Sequence, residues 1–267
     1  MHNEDFFNTI IDKKEYICGN SFIDISNGKD ILFCKIDNVS EHYGKQIDTF
    51  ITHNGDYSVD QNAYNIGPKC NKWYGQNKNI NMEKVLSIPI GLENFEPEFS
   101  FKSNYGRYST MPPMGYQKKE YISFLSSNCN EHKNLIYLNF NSTTFPTERN
   151  YVKSLFFNES WVTKENNVDW KIYYNSLINS KFCFSPRGNG IDCHRTWEAL
   201  YLRTIPILKK EFYMEEFSDL PILFVDHWSQ INEDFLNISY EQMIKKQYNL
   251  DKLKISFWKR HILNANN

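Results

Sequence analysis

Short apolar segments alternate with longer polar or amphipathic stretches along the chain. This pattern is typical of parallel strands that are buried on both faces and joined by helices. The first half predicts three strands and the second half four, at residues 30–36, 49–53, 85–90, 134–140, 181–185, 205–208 and 221–225. The spacing favours βαβ units over hairpins, so the fold class is predicted to be α/β.

Amphipathic stretches between these strands predict helices at residues 147–157, 169–178 and 193–202, and one or two more in the tail 239–267. Thr147 is predicted to cap the first of them. Ile172, Leu177 and Ile178 are predicted to supply the buried face of the second. The polar residues 56–77 are predicted to form a loop or short helix between two strands.

A stretch with little periodicity, residues 95–118, contains three prolines and two glycines and is predicted to be a linker. It separates two predicted domains, residues 1–115 and 116–240, which are both of ordinary domain size. No internal repeat with a period of about 20 to 50 residues is present.

The composition excludes several classes of protein. The 267 residues are 40% hydrophobic with a formal net charge of -2, so no overall basic excess is available to coat nucleic acid. No apolar run approaches the ~20 residues that span a bilayer, and the first residues do not resemble a signal peptide. The six cysteines are scattered, as expected of reduced thiols rather than structural zinc. We therefore expect a soluble, cytoplasmic protein.

A polar turn with two glycines follows the predicted strand 181–185. Gly188 and Gly190 are expected to allow positive φ angles and the close approach of a ligand. Asp192 is expected to cap the helix that follows. The unpaired N–H groups and the partial positive charge at the start of that helix suit an anion at the carboxyl edge of the sheet.

Basic side chains flank the start of the same helix: Arg187 precedes it, and His194 and Arg195 lie in its first turn. A guanidinium matches a phosphate group in shape and charge. Cations are disfavoured at a helix N-terminus unless an anion compensates them. Glu198 is expected near the same face, where its carboxylate would accept hydrogen bonds from ribose hydroxyls. The pattern predicts a site for a phosphorylated ligand.

The same residues allow another interpretation, an ordinary strand–turn–helix with a surface salt bridge between Arg195 and Glu198. The segment lacks the GK[ST] of a P-loop and the third glycine of the GxGxxG dinucleotide fingerprint. The turn by itself therefore leaves both interpretations open.

A wider comparison of motifs favours the ligand site. The segments KFCFSPRGNGIDCHRTWEALYLRTIPIL and LPILFVDHWSQINEDFL resemble the donor-binding region of exostosin-like glycosyltransferases. Upstream, FITHNGDYSVD, KWYGQN and SIPIGLEN resemble the N-terminal half of small exostosin-like proteins. The resemblance covers about residues 45–236 and is strongest around 181–208. One departure is Arg203, where the family more often has glycine before the Ile-Pro strand.

The resemblance implies a GT-B fold, in which two Rossmann-like domains face each other across a cleft, and a C-terminal helix at 241–267 that crosses back to the first domain. It also implies an inverting transfer of a sugar from a nucleotide-diphosphate-sugar donor to a glycan or glycoprotein hydroxyl. Arg187 and Arg195 would hold the diphosphate, and Glu198 the ribose. The loop residue Asn189 would join the same pocket, with Asn141 and Arg149 as weaker candidates.

An inverting transfer requires a general base near the acceptor hydroxyl. Asp56 is the first candidate and Glu93 the second, because each follows a predicted strand of the first domain. His53, the last residue of the strand 49–53, is the third. The chain has no D-x-D metal motif, so the resemblance implies a metal-independent enzyme with no cofactor besides its donor. The resemblance favours UDP-sugars as donors, and UDP-xylose in particular.

Three rivals belong to other classes. The first is a non-catalytic nucleotide- or glycan-binding protein on the same fold, which the presence of Asp56 and Glu93 disfavours. The second is another phosphate-handling enzyme, such as a nucleotidyltransferase or phosphatase, which would need paired acidic metal ligands. The third is a structural α/β protein, which the match beyond the turn disfavours.

Overall fold

Two parallel β-sheets with helices around them form the molecule, so the predicted α/β class is confirmed. The computed structural model describes residues 4–26, 30–95, 114–128, 132–166 and 168–264. Within these ranges no helix combines the length and the apolar character needed to cross a membrane.

The first sheet contains four parallel strands in the order β1-β2-β3-β4. The strands are β1 Ile31–Lys35, β2 Gln46–His53, β3 Lys69–Gly75 and β4 Val85–Ser87. Two helices accompany them, α1 Gly19–Ser26 and α2 Gln61–Ile66, together with a 3₁₀ helix at Ile36–His42.

The second sheet contains five parallel strands in the order β6-β5-β7-β8-β9. Its strands are β5 Asn134–Leu138, β6 Val162–Lys164, β7 Ser180–Phe184, β8 Ile205–Lys209 and β9 Leu223–Val225. The helices in this part of the chain are α3 Met114–Asn128, α4 Pro146–Phe156, α5 Trp170–Ile178, α6 His194–Tyr201, α7 Glu233–Met243 and α8 Ile255–Asn264. Short 3₁₀ helices occupy Ser142–Thr144, Phe212–Phe217, Trp228–Gln230 and Leu250–Leu253.

One large apolar cluster contains buried residues of both sheets, including Ile51 and Tyr74 of the first and Phe182 of the second. A smaller cluster, which contains Phe50 and Trp73, covers the other face of the first sheet. Adjacent residues of a strand point to opposite faces, which is why Phe50 and Ile51 belong to different clusters. The last five residues of β2, Thr49 to His53, are all buried, so both faces of this strand are covered.

Strands β3 and β6 were not predicted. The sequence of β3, KCNKWYG, mixes lysines with apolar residues and lies inside the polar stretch 56–77. Its residues Cys70 and Trp73 are nevertheless buried, and the Trp73 indole donates a hydrogen bond of 2.8 Å to the Thr52 hydroxyl. Pairing with β2 and β4 and the Trp73–Thr52 hydrogen bond hold this strand in place. The local pattern of apolar and polar residues predicts neither.

Two predicted details of the helices are wrong. Phe145, and not Thr147, occupies the N-cap of α4, because Pro146 fits the first helical position where no N–H is required. Ile172 is 49% exposed, whereas Leu177 and Ile178 are buried as predicted. Most of the predicted linker 95–118 lies outside the described residues, and its last five residues belong to α3. The division into two domains stays a prediction.

The last described helix, α8, contacts elements of the first sheet. The rings of Trp258 and Phe22 lie 6.5 Å apart between α8 and α1. The Tyr74 hydroxyl of β3 lies 3.2 Å from Nδ1 of His261. The end of the chain is therefore tied to its first half by aromatic packing.

Candidate functional site

A cavity of about 760 Å³ is lined by loops that follow the carboxyl ends of strands in both sheets. We call it the first cavity. Ligands bind at this edge in open parallel sheets because helix N-termini and flexible loops converge there. The residues expected at the site that line it are Asp56, Glu93, Asn141, Arg149, Gly188, Asn189, Gly190, Asp192, His194, Arg195 and Glu198.

Arg187 lies beside this cavity, outside its lining residues. Its guanidinium stacks on the Phe145 ring at 4.5 Å and donates a hydrogen bond of 3.3 Å to the Asn189 carbonyl. Its Nε is buried and has no hydrogen-bond partner within the described part of the chain. Arg187 is therefore not among the residues that line the first cavity, and its role beside Arg195 on a diphosphate stays a prediction.

Arg195 is the most unusual side chain of the first cavity. Both Nε and Nη1 are buried, and neither finds a hydrogen-bond acceptor among the residues described. Buried polar groups are nearly always paired, so a charged donor left without an acceptor marks a place for a missing one. The position of Arg195 in the first turn of α6 adds the helix N–H groups to the same place.

Three cations surround one aromatic ring in this cavity. Arg149, Lys153 and Arg195 lie 5.6, 5.4 and 5.5 Å from the centre of the Phe140 ring. Such contacts favour cations weakly and leave the N–H groups of Lys153 and Arg195 for a ligand. Lys153 was not predicted, because a single lysine on a helix normally only contacts solvent.

Arg149 has a structural role within this group. Its Nε donates to the Arg187 carbonyl at 2.8 Å, and its Nη1 donates to the Asn141 carbonyl at 2.6 Å. Nη1 also donates to the Thr144 hydroxyl. Burial, and then the nearby Arg195, lower the pKa of the Arg149 guanidinium. Arg149 thus joins the loop after β5 to the loop after β7.

The buried carboxylate of Glu198 is held by two tyrosines. The hydroxyls of Tyr173 and Tyr174 donate to its two oxygens at 2.9 and 2.7 Å. Burial raises the pKa of both phenols well above the ordinary value, so both keep their protons. The alternative surface salt bridge between Arg195 and Glu198 is wrong, because Glu198 is only 7% exposed and bonds to α5 instead.

Asp192 does not cap α6 as predicted. Cys193 occupies the N-cap position, and the Asp192 carboxylate accepts hydrogen bonds from the Trp197 indole and from the backbone N–H of Ile90 at 2.7 Å. Its own N–H donates to the Asn77 side chain at 2.8 Å. Burial raises the pKa of Asp192 to about 7. The residue therefore connects the loop before α6 to two loops of the first sheet.

Gly188 and Gly190 are needed because a side chain at either position would collide with a neighbouring side chain, and neither glycine has a positive φ. The glycines with positive φ in the described ranges are Gly44 and Gly91. A Cβ on Gly190 would lie 2.8 Å from the Asn77 amide nitrogen, and one on Gly188 would lie 3.1 Å from Nη2 of Arg149. The groups that closely approach these glycines are therefore the side chains of Asn77 and Arg149, and not a ligand as expected.

The candidate bases of the first sheet differ in their surroundings. Asp56 is exposed, and one of its oxygens accepts a hydrogen bond of 3.3 Å from the Asn189 amide. Glu93 forms a salt bridge of 2.6 Å with Lys118. His53 is buried, its Nε2 donates to the Pro89 carbonyl at 3.0 Å, and burial lowers its pKa to about 4. His53 is therefore poorly placed to take a proton from a ligand.

A second cavity of about 870 Å³ adjoins the first. The two share Asp56, Ile90, Glu93, Asn189 and His194 in their linings, together with Thr144. The remainder of the second lining is rich in side-chain amides and includes an exposed tyrosine, with Asn54, Gln76, Asn94 and Tyr57 among its members. Amides and an exposed aromatic ring suit an uncharged, hydroxyl-rich ligand.

Metal ligands are not clustered in the described part of the chain, where no three His, Cys, Asp or Glu residues stand close enough to hold an ion. No protein-family model matches this sequence, and no curated protein matches it at a significant level. The chemistry of the site is therefore interpreted from its own residues.

Proposed function

We propose that the protein is an inverting glycosyltransferase of GT-B architecture, similar to the exostosin-like family. A nucleotide-diphosphate-sugar would occupy the first cavity and a glycan hydroxyl would enter from the second. The observation that carries this proposal is the guanidinium of Arg195 at the start of α6, whose buried Nε and Nη1 have no acceptor among the described residues. A diphosphate supplies both the acceptor atoms and the compensating charge.

The donor's diphosphate would bind between Arg195, Lys153 and the first turn of α6, since these groups point positive charge at one place. Its ribose hydroxyls would donate to Glu198, whose oxygens keep further lone pairs after binding Tyr173 and Tyr174. In the transition state the leaving diphosphate gains charge, and fixed cations then stabilise it more than they stabilise the bound donor. Because these cations would perform that task, we expect transfer without a divalent metal.

The acceptor would lie in the second cavity, which opens into the first through shared residues. The amides of Asn54, Gln76 and Asn94 bond to one another and to the backbone and so fix the shape of this cavity. Tyr57, 67% exposed, offers a ring face on which a sugar would stack. Asp56 and Glu93 are the carboxylates that line both cavities in the described part of the chain. This arrangement supports transfer between two sugars over hydrolysis of a single phosphate ester.

The test is a thermal-shift screen of UDP, GDP and CDP, and of UDP-xylose and UDP-glucose, each with and without EDTA. A ligand that binds only the folded state raises its melting temperature. We expect one nucleotide class to raise the Tm of the wild type equally with EDTA present. Arg195→Ala should abolish that shift, whereas Arg260→Ala, an exposed arginine of α8 that lines neither cavity, should keep it.

The outcomes separate the possible functions. A shift that Arg195→Ala abolishes, together with release of free nucleotide from the sugar donor, supports a transferase. A shift without any turnover on a panel of sugar acceptors would favour a non-catalytic nucleotide-binding protein on this fold. If no nucleotide shifts the wild type, the first cavity does not bind a diphosphate and the proposal fails.

A further inference from the structure

His194 stands where the two cavities meet, and it belongs to the linings of both. It is exposed, although it lies in the first turn of α6 directly before the partly buried Arg195. We propose that His194, and not Asp56 or Glu93, is the general base that takes the proton from the acceptor hydroxyl. The inference rests on the proposed function, because it assigns a role within the same transfer.

The hydrogen bonding of the ring fixes which nitrogen can act as a base. Nδ1 of His194 lies 2.8 Å from the Gly91 carbonyl oxygen. A carbonyl oxygen only accepts, so Nδ1 carries the hydrogen and the neutral ring has its lone pair on Nε2. Within the described residues Nε2 has no hydrogen-bond partner. An imidazole held in this tautomer by a backbone carbonyl is prepared to accept one proton.

The partner of Nδ1 is itself held firmly. Gly91 has φ +67°, and a Cβ at this position would lie 2.3 Å from the carbonyl oxygen of Ile17. The next residue, Leu92, donates its N–H to that same oxygen at 2.7 Å. The Gly91 carbonyl therefore belongs to a fixed segment of the first sheet's edge. Through it, a side chain of α6 is oriented by the opposite half of the molecule.

The two carboxylates are less suited to the first proton transfer. The Glu93 carboxylate is already engaged by Lys118, with which it forms a salt bridge of 2.6 Å. Among the described residues the Asp56 side chain accepts one hydrogen bond, from the Asn189 amide at 3.3 Å, and no backbone group orients it toward the acceptor. Both nevertheless line the two cavities together with His194.

The proposed step conserves atoms and charge. Nε2 of His194 removes the proton from the acceptor hydroxyl as its oxygen forms a bond to the anomeric carbon of the donor sugar. The bond from that carbon to the diphosphate oxygen breaks, and its electron pair leaves on the diphosphate. Arg195 and the start of α6 stabilise this new charge. Attack from the face opposite the leaving group inverts the anomeric centre.

The experiment measures the release of free nucleotide and the formation of the new glycoside. The probes are UDP-xylose, UDP-glucose, UDP-N-acetylglucosamine, GDP-fucose and GDP-mannose, with methyl glycosides of xylose, glucose and galactose as acceptors. His194→Ala is compared with wild type, with Asp56→Asn and Glu93→Gln, and with His42→Ala as a matched control. His42 lines neither cavity. The Tm shift with UDP and with GDP is measured for every variant, and each assay is repeated with added imidazole.

We expect His194→Ala to lower kcat at least about 100-fold, the usual contribution of a general base, while its nucleotide-induced Tm shift stays as in wild type. Added imidazole should restore part of kcat to this variant and change none of the others. A kcat within threefold of wild type, or a loss that imidazole does not restore, would overturn the assignment and leave the transferase proposal standing. If wild type releases nucleotide from no donor, the transferase proposal fails and the assignment of the base fails with it.

Discussion

Arg203 shows how a single residue departs from the expected pattern without disturbing the fold. It follows α6 with φ +60°, a left-handed conformation that glycine adopts far more easily than other residues. The guanidinium of Arg203 donates to the carbonyls of Phe7 and Ser126 at 3.0 and 2.7 Å. These bonds compensate for the strained backbone.

Two substitutions at this position separate the backbone from the side chain. Arg203→Ala removes the hydrogen bonds and keeps the left-handed strain, while Arg203→Gly removes both. We expect both variants to be less stable than wild type, and the alanine variant to be less stable than the glycine variant by about 1 kcal/mol. Urea unfolding followed by far-UV circular dichroism measures this. Equal stabilities for alanine and glycine would contradict a left-handed conformation at residue 203.

At the level of single residues, the sequence indicated Arg195 and Glu198 because a turn, glycines and charges lie together in the chain. It could not indicate Tyr173 and Tyr174, which bind Glu198 from another helix. Their sequence pattern is that of ordinary core aromatics. The sequence also did not indicate Lys153, because its position beside Phe140 depends on how α4 packs on the sheet.

At the level of elements, the loop between β7 and α6 takes its shape from Asn77 of the first sheet's edge. The Asn77 side chain accepts the Asp192 N–H at 2.8 Å and donates to the carbonyl oxygen of Gly55 at 3.3 Å. Asn77 is itself 1% exposed, with φ +57°. Sequence pattern predicted the strand, the turn and the helix around this loop. It did not predict the distant amide that holds the turn in place.

This packing makes Gly190→Ala a sensitive test of the loop. The added methyl group would lie 2.8 Å from the Asn77 amide nitrogen, which cannot retreat because hydrogen bonds hold it on both sides. We expect a loss of about 1–3 kcal/mol in the free energy of unfolding and a weaker nucleotide-induced Tm shift.

A double-mutant cycle supplies the control for this expectation. Asn77→Ala removes the side chain that the new methyl group meets. Gly190→Ala should therefore destabilise the Asn77→Ala background less than it destabilises wild type. If the effect is the same in both backgrounds, the contact between these two residues does not limit the loop.

At the level of the whole molecule, the two sheets meet through polar contacts as well as through the large apolar cluster. Asp192 joins the loop before α6 to the backbone of Ile90, and His194 joins α6 to Gly91. Lys78, 6% exposed, forms a salt bridge with Glu216. Local periodicity predicted the strands and their parallel class. These connections were not predictable, because they pair residues more than about a hundred positions apart.

The ionisation of Asp192 gives this junction a measurable pH dependence. Burial raises its pKa to about 7 in the folded state, compared with about 3.9 in an unfolded chain. The folded state therefore retains a proton that the unfolded state has released. The resulting stabilisation is fully present below the unfolded pKa and is lost as the pH rises through about 7. Burial lowers the pKa of His53 and His132 to about 4. These two histidines therefore lower the stability of the fold as the pH falls toward 4, the opposite of the effect of Asp192.

Asp192→Asn removes the ionisable carboxyl group of this residue and leaves every other titratable group of the protein unchanged. Between pH 6 and pH 8 we expect the free energy of unfolding of wild type to fall by about 1 kcal/mol relative to that of the variant. The histidines contribute equally to both proteins, so the difference between the two curves isolates Asp192. Urea titrations at half-unit pH intervals measure it. Parallel curves would mean that Asp192 is already ionised in the folded protein at pH 6, held by the N–H groups of Ile90, Cys193 and Trp197.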